Sequence, residues 1–311
     1  MQPSTFSIVA YDAEAQEWGV ATQSKFLAVG SVVSWAQAGA GAIATQSYAN
    51  TSYGPKGLAL MASGLSAQET LDRILAEDGD REQRQVGIVD ARGNAVTFTG
   101  KECIAWAGGR VGTGYAVQGN ILVSEATVNA LADGFEKAQG ELANRLVAAL
   151  IAGQKAGGDR RGQQSAALLV VREKGGYAGF NDRYIDLRID DAARPIERLR
   201  QLLDLHHLYF KRPEAATLIP INANVTRELA RIAKQSGHYQ GPLTTEYAGA
   251  LRKAVEDLVG MQNLEERWQT DDRIDPVVLE YLQTAFPARR KQAGGSSKRL
   301  QDKPPVHKRK R

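Results

Sequence analysis

Over the first half of the chain, apolar and polar positions alternate in short runs: TFSIVAY (5–11), EWGVATQ (17–23), SVVSWAQ (31–37) and GAIATQS (41–47). Each run is rich in Val, Ile, Thr and aromatic residues and is bounded by small polar or glycine-containing stretches, which predicts consecutive strands. The spacing turns helical over Lys56–Asp78, where Ser66 and Glu69 form a capping-box pattern ahead of Leu71, Ile74 and Leu75. Strands resume at QVGIVDARGNAVTFTG, with ARGN as the hairpin turn, and continue through CIAWAGG and YAVQGNIL. Two helices are predicted next, Glu125–Ala138 and Glu141–Ala156, the second with Leu142, Leu146, Ala149 and Leu150 on one face. QSAALLVVR and YIDLRID read as the last strands, and Pro195–Tyr209 as a closing helix. This order predicts an α+β domain of packed sheets with helices outside, spanning residues 1–209. Beyond it, Thr226–Lys234, Thr244–Val259 and Pro276–Ala285 carry helical patterns, which predicts a small all-α domain over 210–288.

Composition bounds this picture. With 311 residues, 43% hydrophobic and 24% charged, the chain can bury one sizeable core and a second small one. Its start lacks a basic region followed by an apolar run, and its least polar long window, Leu27–Ala44, is interrupted by Gln37 and several small residues. Neither a signal peptide nor a membrane span is expected, and cytoplasm is the default location. A single cysteine, Cys103, excludes an internal disulfide and a cysteine-built metal site. The net charge of +4 is uneven: Arg289–Arg311 holds ten Lys or Arg and one Asp, so the rest of the chain is acidic. Such a tail, with paired glycines, serines and prolines, predicts disorder. Its closing HKRKR can touch nucleic acid, but a solvated tail is the preferred reading and nucleic acid is not an expected partner.

The histidines narrow the chemistry. All four, His206, His207, His238 and His307, lie beyond residue 205, so the strand-rich segment before them has no imidazole for a Ser-His-Asp or Cys-His arrangement. His206 and His207 are adjacent on a predicted helix and read as a packed or solvated pair rather than metal ligands. No zinc spacing or phosphate-binding loop is present, and GRVGTGYAVQG lacks the third glycine of a dinucleotide fingerprint, so no cofactor is expected. A strand-rich domain without histidine can still hydrolyse amides if its nucleophile supplies its own base. An amino-terminal Thr, Ser or Cys does so, because a free α-amine titrates near neutrality. Thr5, at the head of the first strand, is either such a nucleophile or ordinary strand punctuation.

Longer strings carry a resemblance. TFSIVAYD, WGVATQSKFLAVGSVVSWAQAGAGAIATQSYANTSYGPKGLALM, RQVGIVDARG, GYAVQGNIL and GGDRRGQQSAALLVV resemble, in order, the bacterial family called domain of unknown function 1028, over about residues 5–207. That resemblance implies the fold of the amino-terminal-nucleophile (Ntn) hydrolases, a four-layer αββα sandwich, and an amidohydrolase acting on a small amide or peptide bond. It further implies Thr5 as nucleophile, Asn120 as an oxyanion donor, and Asp159, Arg160 and Ser165 as groups supporting the amine. Lys25 and Gln46 are candidate substrate-binding residues between the strands. Two departures from the superfamily pattern stand out. Thr5 follows MQPS, so removal of Met1 alone leaves Gln2 first, and SVVSWAQAG lacks the lysine that proteasome-type enzymes place beneath the nucleophile, Lys25 being the nearest substitute. The segment LARIAKQSGHYQGPLTTEYAGALRKAVEDLVGMQNLEERWQTDDRIDPVVLEYL resembles a peptidoglycan-binding module, which implies a cell-wall fragment as partner; Tyr239, Tyr247 and Trp268 can stack on it, but core aromatics are the preferred reading in a small bundle. The alternative to an enzyme is a binding or scaffold protein of the same fold. A homo-oligomer is compatible with either.

Overall fold

The computed structural model describes residues 5–288; the basic tail lies outside the described residues. The chain is a mixed α/β protein with antiparallel sheets and, among the described residues, eight α-helices. It divides into two compact units, the first ending at His207 and the second starting at Leu208.

In the first unit, β1 (Thr5–Asp12) and β2 (Glu17–Ser24) form a hairpin. Its turn is fixed by Asp12, whose Oδ1 accepts from the backbone N–H groups of Glu14 and Ala15 at 3.0 Å. After β3 (Ser34–Gln37) and β4 (Gly41–Gln46) come two helices, α1 (Tyr53–Ala62) and α2 (Ala67–Ala76). The helical spacing of Lys56–Asp78 is thus divided between two helices, the second starting after the capping box expected at Ser66 and Glu69. Gly64 at φ 102° ends the first turn of chain, and Ser66 restarts a helix through a complete capping box with Glu69. There follow β5 (Gln85–Asp90), β6 (Ala95–Thr99), β7 (Gly108–Gly112), β8 (Tyr115–Asn120), α3 (Ala126–Lys137), α4 (Leu142–Lys155), β9 (Ser165–Val171), β10 (Arg183–Ile189) and α5 (Pro195–Phe210). The strand expected at CIAWAGG begins only at Gly108. Upstream, the carbonyls of Ile104 and Trp106 accept from the N–H groups of Ile121 and Leu122 in an irregular crossing rather than a ladder.

Six strands make one sheet, in the order β10-β9-β2-β1-β8-β7, and four make another, β3-β4-β5-β6; every ladder is antiparallel. The two-residue side-chain period sorts β1 cleanly. Phe6, Ile8 and Ala10 join an apolar cluster with Leu131, Phe135, Leu146 and Leu150 of α3 and α4. Val9 joins a different cluster, in which Val20 and Leu169 of the first sheet meet Ala42, Ala44 and Val89 of the second. A third cluster sets Ile43, Val86 and Ile88 against Leu58 and Met61 of α1 and Leu71 and Ile74 of α2.

The second unit has α6 (Ala223–Gln235), α7 (Gly249–Met261) and α8 (Pro276–Ala285), with a two-residue ladder between β11 (Ile219–Pro220) and β12 (Arg273–Ile274) that the hydrophobic pattern does not announce. Leu229, Ile232, Val255, Leu258, Leu264, Val278 and Leu282 form its core. Asn222 caps α6, accepting from Asn224 and Val225 N–H, and Asp275 caps α8 ahead of Pro276. The Asp275 carboxylate also pairs with Arg267, both buried, and Arg267 Nε donates to the Leu208 carbonyl at 2.7 Å. A buried pair with its remaining donors engaged holds the α7–α8 connection, because breaking it would strand a charge.

Candidate active site

The candidate site lies at one end of the two sheets, where the ladder registers bring strand termini together. Thr5 pairs with Ser24 on one side and Asn120 on the other, and Ser24 pairs with Ser165. In the second sheet Gln46 pairs with Gln85 and Gln85 with Thr99. Thr5, Ser7, Ser24, Gln118, Asn120 and Ser165 are in phase with the inward positions Val9, Val20, Ala116 and Leu169, so the face that is apolar along the middle of the strands becomes polar at this end.

The polar end is buried and cross-linked. Thr5 is fully buried and its Oγ1 donates to Ser24 Oγ at 3.2 Å. Gln46 Nε2 donates to the Thr5 carbonyl at 3.2 Å and to Gln85 Oε1 at 2.8 Å, while Gln46 Oε1 accepts from Ser7 Oγ at 2.7 Å. Asn120 Nδ2 donates to the same Gln85 Oε1 at 3.0 Å. Gln85 Nε2 is shared among Thr99 Oγ1 at 2.9 Å and the carbonyls of Gly108 and Gly119 at 3.2 and 2.8 Å. Gln118 Nε2 donates to Ser7 Oγ at 2.6 Å. Gly87 makes room for that amide, since a Cβ there would lie 2.1 Å from Gln118 Oε1. All these side chains are uncharged, and buried polar groups of this kind are tolerated because they satisfy one another.

Of the residues singled out in the sequence, Gln46 is in this network, hydrogen-bonded to Thr5 itself, and Asn120 is Thr5's ladder partner. Asp159 is buried beside it: its Oδ2 accepts from Lys25 N–H at 2.9 Å, one residue beyond Ser24, and its Oδ1 accepts from Arg161 N–H at 2.8 Å. Its charge is matched by the Arg161 guanidinium at 3.2 Å. Ser165 Oγ accepts from Val29 N–H at 3.1 Å and donates to the Phe26 carbonyl, tying down the chain that leaves β2. Lys25 is exposed and its Nζ donates to the Gln163 carbonyl at 3.3 Å, on the surface rather than beneath Thr5. Arg160 is exposed; its N–H donates to the Ile121 carbonyl at 3.0 Å, one residue past Asn120. Tyr239 belongs to the second unit, where it packs against the core along with Tyr247 and Trp268. Burial pushes the Tyr247 hydroxyl up to about 12. Trp268 also borders an open cleft of about 570 Å³ with Arg212, Pro213, Glu265, Glu266 and Gln269.

Ser7, Ser24, Gln85 and Gln118 escaped the reading of the sequence. The available signal was phase: in Ala42-x-Ala44-x-Gln46, Gln85-x-Gly87-x-Val89 and Ala116-x-Gln118-x-Asn120, amides continue an inward apolar face. His206 and His207 prove to be part of the first unit, packed at the opposite end of its sheet. His206 Nε2 lies 3.0 Å from the Tyr184 carbonyl, near the start of β10, and His207 pairs with Glu141 ahead of α4. Burial first of all holds the His206 imidazole below its usual range. Among the described residues no group of three His, Cys, Asp or Glu is placed to hold a metal ion, and no helix is long and apolar enough to cross a membrane.

The comparison with known families matches this architecture to a model described as "Family of unknown function (DUF1028)" over residues 5–199. The chain belongs to the DUF1028 family. A second model, described as "Putative peptidoglycan binding domain", matches residues 209–282. Among solved structures, a DUF1028 protein from Silicibacter pomeroyi is similar, with 30% identity, a TM-score of 0.61, and coverage of 66% of this chain and 86% of that one. The Anbu (ancestral beta-subunit) of Yersinia bercovieri also aligns, at 11% identity and a TM-score of 0.30 over 64% of this chain and 93% of that one. No curated protein matches.

Proposed function

We propose that the first unit is an Ntn-type amidohydrolase with a four-layer αββα sandwich, in which Thr5, exposed by removal of residues 1–4, attacks a small amide or peptide bond. The observation that carries this reading is the position of Thr5. It heads the central hairpin of the larger sheet, on the face turned to the second sheet, with its hydroxyl 3.2 Å from Ser24 Oγ. The three apolar clusters, helices on sheet, sheet on sheet and sheet on helices, support the layered fold. In the mature form the α-amine of Thr5 takes the proton from Oγ1, the oxygen attacks the substrate carbonyl, and the protonated amine then gives the proton to the leaving nitrogen. Water repeats the cycle on the acyl-enzyme. Side-chain or backbone N–H groups at the end of β8, Asn120 among them, supply the donors for the oxyanion. Asp159 and Ser165 hold the loops that leave β2 and precede β9, and so position the amine rather than react.

The intact mass and first residue of the native, untagged protein test this. A chain starting at Thr5, with amide hydrolysis lost in Thr5→Ala, supports the reading; a chain starting at Met1 or Gln2 with no turnover sinks it. The second reading is a binding or scaffold protein. What favours it is the complete burial of Thr5 and the engagement of its carbonyl by Gln46. We further propose that the second unit binds a peptidoglycan fragment, with Trp268 and Arg212 in its cleft as contacts. Muropeptide binding weakened about tenfold or more by Trp268→Ala is expected.

A further inference from the structure

The cleft of the second unit is lined from two stretches of chain. Arg212 and Pro213 come from one, and Glu265, Glu266, Trp268 and Gln269 from the other, around about 570 Å³ of open space. The second stretch is a held turn. Glu265–Arg267 is a 3₁₀ turn, and the Trp268 N–H donates to the Glu265 carbonyl at 3.1 Å. With three residues per turn, positions i and i+3 lie above one another, so Glu265 and Trp268 share a side and Arg267 falls on another. Arg267 is buried and fixes the turn from beneath: its Nε donates to the Leu208 carbonyl at 2.7 Å, and its guanidinium pairs with Asp275. Trp268 is half-buried and packs against the core of the unit, so its indole is held while it borders the cleft.

The lining carries one negative charge in excess, and its place can be read. Its charged residues are Arg212, Glu265 and Glu266, and Arg212 Nε lies 3.1 Å from Glu266 Oε2. That pair is neutral as a whole. Glu265 is exposed and makes no ion pair among the described residues. Outside the lining, Lys211 and Glu214 flank the first stretch with opposite charges. Gln269 Nε2 donates to the Arg267 carbonyl at 3.3 Å, which leaves the amide oxygen of Gln269 as an acceptor.

We propose that this cleft takes a primary ammonium at the end of a short hydrocarbon chain, the side chain of the diamino acid in a peptidoglycan stem peptide. Glu265 supplies the carboxylate, Gln269 a second acceptor, and Trp268 an apolar wall for the methylenes. An ammonium has three donors and no acceptor, which suits two acceptors beside an aromatic ring that also attracts a cation. The inference rests on the second unit being a peptidoglycan-binding module, and it puts the contact on the peptide rather than on the glycan. Neither Thr5 nor the residues before it enter into it.

Calorimetric titration of the full chain tests it with four probes: the stem tripeptide Ala-γ-D-Glu-Lys, the same tripeptide acetylated on the lysine Nε, tetra-N-acetylchitotetraose, and Nα-acetyl-lysine methylamide. The free tripeptide is expected to bind about tenfold or more tighter than its acetylated form. Glu265→Gln, at an exposed position, should bring that ratio toward one with the melting temperature unchanged, and Glu214→Gln, outside the lining, should leave the ratio as it is. Equal affinity for the two tripeptides, absence of binding by the free tripeptide, or a ratio unchanged in Glu265→Gln overturns the inference. Binding of the chitotetraose alone would overturn it too, and would leave peptidoglycan recognition standing. An ammonium preference that Glu265→Gln abolishes, but that Nα-acetyl-lysine methylamide shows as strongly as the tripeptide, would keep the ammonium site and remove the peptidoglycan reading.

Discussion

Replacing Gln85 by leucine removes the centre of the amide network at nearly constant volume. Gln85 Oε1 accepts from both Gln46 and Asn120, and its Nε2 donates to Thr99 Oγ1 and two glycine carbonyls. After the substitution Asn120 Nδ2 loses this acceptor, and Gln46 Nε2 keeps only the Thr5 carbonyl at 3.2 Å. The Thr99 hydroxyl can rotate, whereas the fully buried amides cannot reach water. Counting the one Gln46 N–H that loses its acceptor, at about 1–3 kcal/mol, gives an expected loss of about that size. Leucine's extra apolar burial returns part of this. Urea unfolding of the full chain, followed by near-ultraviolet circular dichroism, measures the change; the exposed Gln68→Leu, whose amide bonds only Asp72, serves as control with a change within about 0.5 kcal/mol. A further Gln46→Leu substitution should then cost less than it does alone, because its main acceptor is already gone. A loss under about 1 kcal/mol for Gln85→Leu would refute the claim that these amides depend on one another.

Three other outcomes follow from the same structure. Asp78 is held well below the usual carboxylate range, first by its hydrogen bond from Arg84 at 3.0 Å and then by Asn50 and Tyr53. A depressed native pKa adds stability above the unfolded value and loses it as pH falls toward the native one. Asp78→Asn should therefore cost about 2–3 kcal/mol between pH 5 and 8, and the gap from wild type should narrow below about pH 4 in chemical unfolding. His206 has the opposite sign of charge: its lowered pKa means that stability is lost as pH falls through about 6.5, so His206→Gln should flatten the dependence of melting temperature on pH between 7 and 5. Gly54→Ala places a Cβ 2.1 Å from Trp35 Cδ2 and should destabilise by about 1–3 kcal/mol, whereas Gly260→Ala, which meets nothing within 4 Å inside α7, should stabilise by up to about 1 kcal/mol; calorimetry of both variants checks the pair.

Element type was legible wherever the apolar period was unbroken. TFSIVAY, EWGVATQ, GAIATQS and QVGIVD carry one side chain per face, and each is a strand in a ladder. Legibility failed where hydrogen bonds outside the repeat decide the path. SVVSWAQ opens with a 3₁₀ turn at Val29–Ser31 and becomes a strand only at Ser34. The helix expected from Thr244 starts at Gly249, because Thr244 Oγ1 accepts from Glu246 N–H and so offers the backbone a local turn instead. The candidate site divides the same way. Thr5 and Asn120 could be named from their places in a motif, but their neighbourhood depends on register between strands more than thirty residues apart in sequence, which no local pattern encodes.

The amide end of the sheets also bears on whether the fold is an enzyme or a scaffold. The amides carry a cost under either reading: valine or alanine at Gln46, Gln85 and Gln118 would pack there without the demand that every donor find an acceptor. The chain instead confines apolar contacts to the middle of the face, at Val9, Val20 and Val89, and places hydroxyls and amides where β1 begins. Neutral groups suit that position if a free α-amine is to act as base: a carboxylate beside it would raise its pKa and keep it protonated, and a lysine would lower it. Asp159, a buried acid in this part of the fold, is turned to Arg161 and to the Lys25 N–H. Burial among uncharged groups disfavours the protonated form of a Thr5 amine freed by removal of residues 1–4, and activity that rises with pH as this amine loses its proton would be the signature of the proposed mechanism.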